Sequence, residues 1–245
     1  MATTSPSKLN SLYQTLPMGT PVTSRQLADL GVSADLAVSY VRSGWLQRLA
    51  RGVFSRAGDT PLLGPSLLIL QDQLPGLHVG GKTALAWHGV QHFVDARPKL
   101  TLFGWENRPL PEWFTRHFPS TFRRKRLFKE TLRKPLHMTT VPEKAGSARV
   151  STAERAFLEL LSEVGVRQSL EDVRLLARGL DTLRSDVLGE LLKKCTSVKT
   201  VRLCLMFGKE FSHPWYSKLN LKTLPRGSAS TWVGRSRTGT LVLKQ

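Results

Sequence analysis

The order of short amphipathic segments in the first 57 residues most constrains how this chain can fold. Leu9, Leu12, Tyr13 and Leu16 recur at i, i+3, i+4 and i+7, which puts them on one face of a helix over residues 7–16. Residues 17–21, bounded by Pro17 and Pro21, form a turn. Thr23 or Ser24 supplies the N-cap of a second helix, and Gly31 ends it. Ser33 caps a third helix that closes at Gly44. Residues 45–49 and 52–55 then alternate as two short strands around Ala50 and Arg51. Helix, helix, turn, helix, hairpin is the order of a winged helix-turn-helix.

In the third helix Leu36, Ala37, Tyr40 and Val41 share the face that packs on the first two helices. The opposite face carries Ser33, Asp35, Val38, Ser39 and Arg42. Short polar side chains and a guanidinium facing outward suit base edges and phosphates in a major groove. Arg48 and Arg51 fall on the wing, where cations meet the flanking backbone. Ser24 and Arg25 open the second helix, whose free N–H groups suit a phosphate. Asp35 counts against tight DNA contact, and a winged helix that binds only protein remains the alternative.

Past Asp59 the character changes, and the expected division is a DNA-binding domain at 1–57 and a second domain at 60–245. The pattern predicts helices over 65–74 and 82–88 and strands over 99–105 and 136–141. Helices follow over 151–164, 170–180, 185–195 and 198–211, and a strand-like segment lies at 240–243. The fold class is therefore mixed α+β, a small sheet followed by a helical half. No internal repeat is visible.

The most basic stretch contains Arg116, Arg123, Arg124, Lys125, Arg126, Lys129, Arg133 and Lys134, interleaved with Phe114, Phe118, Phe122 and Phe128. Acidic residues are nearly absent there. It reads either as a solvated strand backed by phenylalanines or as an electrostatic patch for DNA, RNA or an acidic protein surface. The whole chain carries 36 Lys and Arg against 18 Asp and Glu, a formal charge of +18, which points to a polyanionic partner.

No apolar run is long enough to span a bilayer, and residues 1–8 have no apolar signal core, so a cytoplasmic location is expected, with no membrane partner. Cys195 and Cys204 lie in apolar helical patterns without C-x-x-C spacing, and are expected as reduced core residues rather than metal ligands. His78, His88, His92, His117, His137 and His213 are scattered, and no pair of carboxylates stands at catalytic spacing. No catalytic residue, cofactor or metal is assigned. One formal match remains: residues 76–83 fit G-x-x-x-x-G-K-[ST], which in a nucleotide loop would put Lys82 on phosphate and Thr83 on Mg²⁺. Pro75 and the polar residues 71–73 replace the buried strand such a loop follows. The competing reading is a turn into a helix whose Leu85 and Trp87 fill the second domain.

Four segments carry a family resemblance: Val41-Arg-Ser-Gly44-Trp45-Leu46-x-Arg48-Leu-x-Arg51-Gly52-Val53-Phe54; Gly81-Lys-Thr83-Ala84-Leu85-x-x-His88-Gly89; Val150-Ser151-Thr-Ala-Glu154-Arg155-Ala156-Phe-Leu158-Glu159; and Trp215-x-x-Lys218-Leu219. In this order the chain resembles the AbiEi-type antitoxins of type IV toxin–antitoxin and phage abortive-infection systems. It departs from them at Ala153, where the family usually has Pro, and in the tail after Leu224. The resemblance implies a non-enzymatic antitoxin. It would bind promoter DNA to repress its own synthesis and neutralise a nucleotidyltransferase-like toxin. It also implies that Gly81-Lys82-Thr83 is a helix start. A regulator unrelated to toxins and a nucleotide-dependent toxin-modifying enzyme are the alternatives.

The third segment also has a local reading. Ser151 as N-cap and Glu154 at N3 would form a capping box, and Arg155 can pair with Glu159 at i, i+4. Glu154 and Arg155 are thus either structural or, with Arg123, Arg124 and Arg126, candidates for toxin neutralisation.

Overall fold

A computed structural model describes residues 8–90, 99–132, 134–227, 231–236 and 239–244; His92 and Arg133 lie outside them. The elements in chain order are α1 (Lys8–Thr15), β1 (Val22–Thr23), α2 (Ser24–Asp29), α3 (Ala34–Arg42), β2 (Leu46–Ala50), β3 (Val53–Arg56) and α4 (Leu63–Gln73). Then come β4 (His78–Val79), α5 (Gly81–Trp87), β5 (Leu100–Gly104), α6 (Glu112–His117), β6 (Ser120–Arg124), β7 (Met138–Val141), α7 (Pro142–Ala145) and β8 (Gly146–Ser151). The helical half follows as α8 (Ala153–Ser162), α9 (Leu170–Arg178), α10 (Ser185–Lys194), α11 (Val198–Glu210) and α12 (Pro214–Ser217), and the hairpin β9 (Thr231–Ser236) and β10 (Gly239–Lys244) ends the series. The fold is mixed α+β, as expected.

The chain forms two compact units. One comprises residues 1–73, 110–118 and 142–148, and the other comprises 74–109, 119–141 and 149–245. The break expected at 57/60 falls where the winged helix itself ends, whereas the first compact unit also takes in α4, α6 and α7. Its winged helix forms as the sequence signals dictate. Thr23 and Gln26 make a reciprocal capping box for α2, Thr23 Oγ1 accepting from the Gln26 N–H at 3.2 Å. Ser33 Oγ caps α3 by accepting from the Leu36 N–H. Strand β3 lies between β1 and β2 with antiparallel pairing to both, and a register shift separates Arg48 from Ala50 in the wing. Leu12, Leu16, Val22, Leu27, Val32, Ala37, Leu46 and Phe54 make one core, with Leu36, Tyr40 and Val41 packed on it. Arg56 stacks 4.5 Å over the Tyr13 ring and donates to the Tyr13 and Leu16 carbonyls, so the end of α1 is tied to β3.

The second unit is organised around α8. A five-stranded sheet runs in the order β6-β5-β4-β8-β7; β5–β6 and β4–β8 are parallel, and β4–β5 is antiparallel. Helices α5, α9, α10 and α11 contact α8, and every residue of α8 from Glu154 to Ser162 is buried. A helix buried on all sides is normally apolar throughout. This one carries Glu154, Arg155 and Glu159 inside, so each must find a polar partner. Trp215 on α12 is buried as well; its indole Nε1 donates to the Leu180 carbonyl at 2.6 Å. Arg202 on α11 holds the chain end by donating to the Arg226 and Leu243 carbonyls.

Two local expectations are corrected. Residue 151 does not start a helix: residues 146–151 form strand β8, and the N-cap of α8 is Thr152, with no side-chain cap bond. The capping box is absent because the side chains of both members are engaged elsewhere. Ser151 Oγ donates to Glu159, and Glu154 accepts from Arg184. The sequence reading also passed over α6 and β9.

Candidate functional site

In the winged helix, the N-caps of α2 and α3 and the short wing bring five of the seven expected DNA-contact residues to one groove of about 610 Å³. Ser24, Ser33, Arg42, Arg48 and Arg51 line it over an apolar floor that includes Ala37 and Phe54. Arg25 and Ser39 are exposed but do not line it. Two amides at the start of α2 have acceptors within the protein: the Ser24 N–H donates to the Gly52 carbonyl at 2.9 Å, and the Gln26 N–H is capped by Thr23. The groove itself presents three arginine side chains to an anion. Asp35 and Val38 are exposed on the same helix.

The second unit holds a buried ionic chain. Glu159, 1% exposed, accepts four hydrogen bonds: from Arg155 Nε at 2.8 Å, Ser151 Oγ at 2.9 Å, the Gly81 N–H at 3.1 Å and His78 Nε2 at 2.8 Å. Arg155 continues the chain, donating from both terminal nitrogens to Glu130 at 2.7 and 2.8 Å and from Nη1 to the Leu136 carbonyl. Its guanidinium lies 4.9 Å over Phe128. Burial alone would raise the Glu159 carboxyl, but His78 and Arg155 outweigh it and hold it down at about 2. Glu154 stands on a second fork, from Arg184 Nε and Nη2 at 2.9 and 3.0 Å. Burial raises that carboxyl as well, and the Arg184 bonds outweigh burial and bring it to about 2. Glu154 and Arg155 are therefore 3% and 2% exposed, too deep to touch a macromolecular partner. Glu130 and His78 were missed as partners. Glu130 left one trace in the sequence, as the single carboxylate among the cations of residues 116–134.

The same network accounts for the nucleotide-loop match. Residues 76–81 include β4, paired on one side with β5 and on the other with β8. The Gly80 N–H donates to the Thr101 carbonyl at 3.0 Å, and the Gly81 N–H faces Glu159. Amides that would cradle phosphate in a nucleotide loop are spent on protein acceptors. Leu85 is fully buried and Trp87 half-buried, in keeping with the helix-start reading.

The basic stretch divides. Arg123 Nε is ion-paired with Glu163 at 3.0 Å, and the side chain is only 17% exposed. Arg124 is exposed at the end of the edge strand β6. Arg126 is exposed, lies 4.4 Å over the Trp105 ring and donates to the Glu130 carbonyl at 3.0 Å. Among the phenylalanines, Phe114 and Phe128 are fully buried and Phe118 and Phe122 half-buried. The stretch is thus neither a plain strand nor one continuous patch.

Two family models match, end to end. Residues 5–96 match the N-terminal domain of the AbiEi antitoxin transcriptional regulators, and residues 97–245 match the transcriptional regulator, AbiEi antitoxin, of type IV toxin–antitoxin systems. The chain belongs to the AbiEi antitoxin family. The two matches meet between residues 96 and 97, so β4 and α5 fall on the N-terminal side. The chain is also similar in fold to the crystal structure of the Rv2827c protein from Mycobacterium tuberculosis, with 14% identity and a TM-score of 0.54 over 92% of this chain and 87% of that one. No curated protein matches it. Among the described residues, no helix is long and apolar enough to cross a membrane.

Proposed function

We propose that this AbiEi-family antitoxin represses its own promoter through the winged helix and, without enzymatic chemistry, neutralises a nucleotidyltransferase-like toxin through its second unit. The observation that carries the reading is the convergence of Arg42, Arg48 and Arg51 with Ser24 and Ser33 on one groove between α3 and the wing. In a family of transcriptional regulators, that convergence supports phosphate and base contact by α3 in a major groove with the wing on the flanking backbone. Arg25 and Ser39 extend the exposed face. The exposed cations of the second unit, Arg124 and Arg126, with Arg123 beside them, support contact with an acidic toxin surface. Glu154 and Arg155 serve this function by holding α8, not by touching the toxin.

Full-length variants test the division of labour, because the two compact units interleave along the chain. Arg42→Ala with Arg51→Ala is expected to abolish the shift of a promoter fragment while co-expression still rescues growth from the adjacent gene's toxin. Arg124→Ser with Arg126→Ser is expected to do the reverse. Loss of rescue in the first variant with DNA binding intact would reverse the assignment.

A further inference from the structure

The groove beside Glu163 is built differently from every other cation cluster described above. Glu163 is buried at the end of α8, its side chain 7% exposed, and its two oxygens pair with Arg123 Nε at 3.0 Å, Lys125 Nζ at 3.4 Å and Arg167 Nη1 at 3.3 Å. One carboxylate holds three cations in place and cannot neutralise them. Around the open groove, of about 460 Å³, five cationic residues face two carboxylates, an excess of three positive charges. Arg123 records the crowding: burial lowers its pKa first, and the Arg167 charge lowers it further against the pull of Glu163. Lys125 and Lys199 also cap the carbonyl end of α8, both donating to the Ser162 carbonyl.

The contrast with Arg155 decides what this groove is for. Arg155 is buried and spends its donors on Glu159, Glu130 and Leu136. Arg123 and Arg167 each turn one nitrogen to Glu163, and Arg123 Nη1 also donates to the Phe122 carbonyl at 3.5 Å; a guanidinium has five N–H donors, and the groove these two residues line is open. Forked donors held rigidly by a buried counter-ion match the oxygens of a phosphate. An excess of three charges calls for more than one negative charge on the ligand. The lining also includes the apolar Phe122, Val166 and Pro109. Val166 is 46% exposed. A volume of this size is in the range of sites for small organic ligands, about 300–1,000 Å³. An aromatic and an aliphatic side chain in the same groove as a cluster of cations suit a base joined to a polyphosphate.

We propose that the groove lined by Arg123, Arg124, Lys125 and Arg167 around Glu163, together with Phe122 and Val166, binds a nucleoside 5′-polyphosphate, either free or at the 5′ end of a nucleic-acid strand. The phosphates lie on the guanidinium groups and the base on the apolar side chains. The site is separate from the residue 76–83 segment and uses neither Lys82 nor Thr83. It shares Arg123 and Arg124 with the toxin-facing surface proposed above but does not rest on that role, because it is tested with no toxin present.

The test titrates the full-length protein with ATP and GTP by calorimetry. In parallel, a fluorescent single-stranded RNA decamer carrying a 5′-triphosphate is compared with its 5′-hydroxyl twin by anisotropy. Arg124→Ala with Arg167→Ala removes two outer cations, which are exposed, so its melting temperature should match the parent. Saturable binding of at least one triphosphate probe, weakened about tenfold or more in this variant and unchanged in Lys82→Ala, is the expected result. Binding of the free nucleotides assigns the ligand to the soluble pool; preference for the triphosphorylated RNA over its twin assigns it to a strand end. Four outcomes overturn the proposal: no binding of any triphosphate probe, undiminished binding in the double variant, loss in Lys82→Ala, or, with ATP and GTP inert, equal affinity for the two RNAs.

Discussion

Arg155 and Glu130 form a closed fork inside the second unit: Nη1 reaches Oε2 at 2.7 Å, Nη2 reaches Oε1 at 2.8 Å, and both side chains are almost fully buried. The carboxylate reaches Arg155 from an otherwise cationic stretch of chain, twenty-five residues away. Fork and helix together secure α8, since Arg155 bonds Glu159 one turn further along the same helix.

Removing one member of this network leaves charges buried without partners. Arg155→Met should therefore destabilise the protein by about 3–5 kcal/mol, the usual cost of breaking a buried ion pair from one side. Urea unfolding followed by circular dichroism measures it. Rescue of cells from toxin should fall only as far as the folded fraction falls. A variant that melts like the parent yet fails to rescue would restore the toxin-facing role weighed from the sequence.

Acid should unfold the second unit through its carboxylates. Glu154 and Glu159 lie at about 2 in the folded chain against an ordinary 4.5. Between those values the folded state binds fewer protons than the unfolded state, so their contribution is complete above 4.5 and is lost as pH falls toward about 2. Calorimetric melting temperatures should drop through that window. Glu159→Gln should be less stable at neutral pH and show a shallower drop; a parent profile that stays flat there would contradict the buried network.

Gly80 should tolerate no side chain. A Cβ at that position would sit 2.2 Å from Glu159 Oε2 and 2.8 Å from the Phe103 ring, and the carboxylate is held by four donors and cannot retreat. Gly80→Ala is expected to lower the melting temperature by many degrees. Gly179→Ala, where φ is −87° and the nearest atom is 3.8 Å away, should change it little. Equal effects of the two would refute the close approach.

Promoter binding should be electrostatic in large part. Each phosphate contact contributes about 0.9 to the slope of log affinity against log salt. Arg48→Ala and Arg51→Ala should each reduce the slope by roughly that amount, measured by anisotropy across a salt series. Lys82→Ala should leave both slope and affinity unchanged. A parent slope near zero would remove the winged helix from DNA contact.

Much of the winged helix was legible because its signals are local. A cap at Thr23 or Ser33, a stop at Gly31 and the alternation of the wing each depend on residues within a few positions of one another. The helix pattern over 170–211 was legible for the same reason, and α9, α10 and α11 begin at Leu170, Ser185 and Val198, where the pattern starts them. Strand β8 was not legible, because the pull that takes Ser151 out of a helix comes from Glu159 on α8 and that on Glu154 from Arg184, thirty residues away.

By itself the sequence determined the winged helix, the α+β class, the positive charge and the ordered motifs of the antitoxin family, all of which reside in short-range spacing or composition. Only the tertiary structure decided what the charged residues do. In the chain Arg155 has Glu154 beside it and Glu159 one turn on, whereas Arg123 sits in a cationic stretch with no near acidic neighbour. Folding buries one among acceptors that use its donors and sets the other in the lining of an open groove, where it shares one carboxylate with two further cations. That difference is one of desolvation and of partners distant in sequence, and neither is encoded at the position itself.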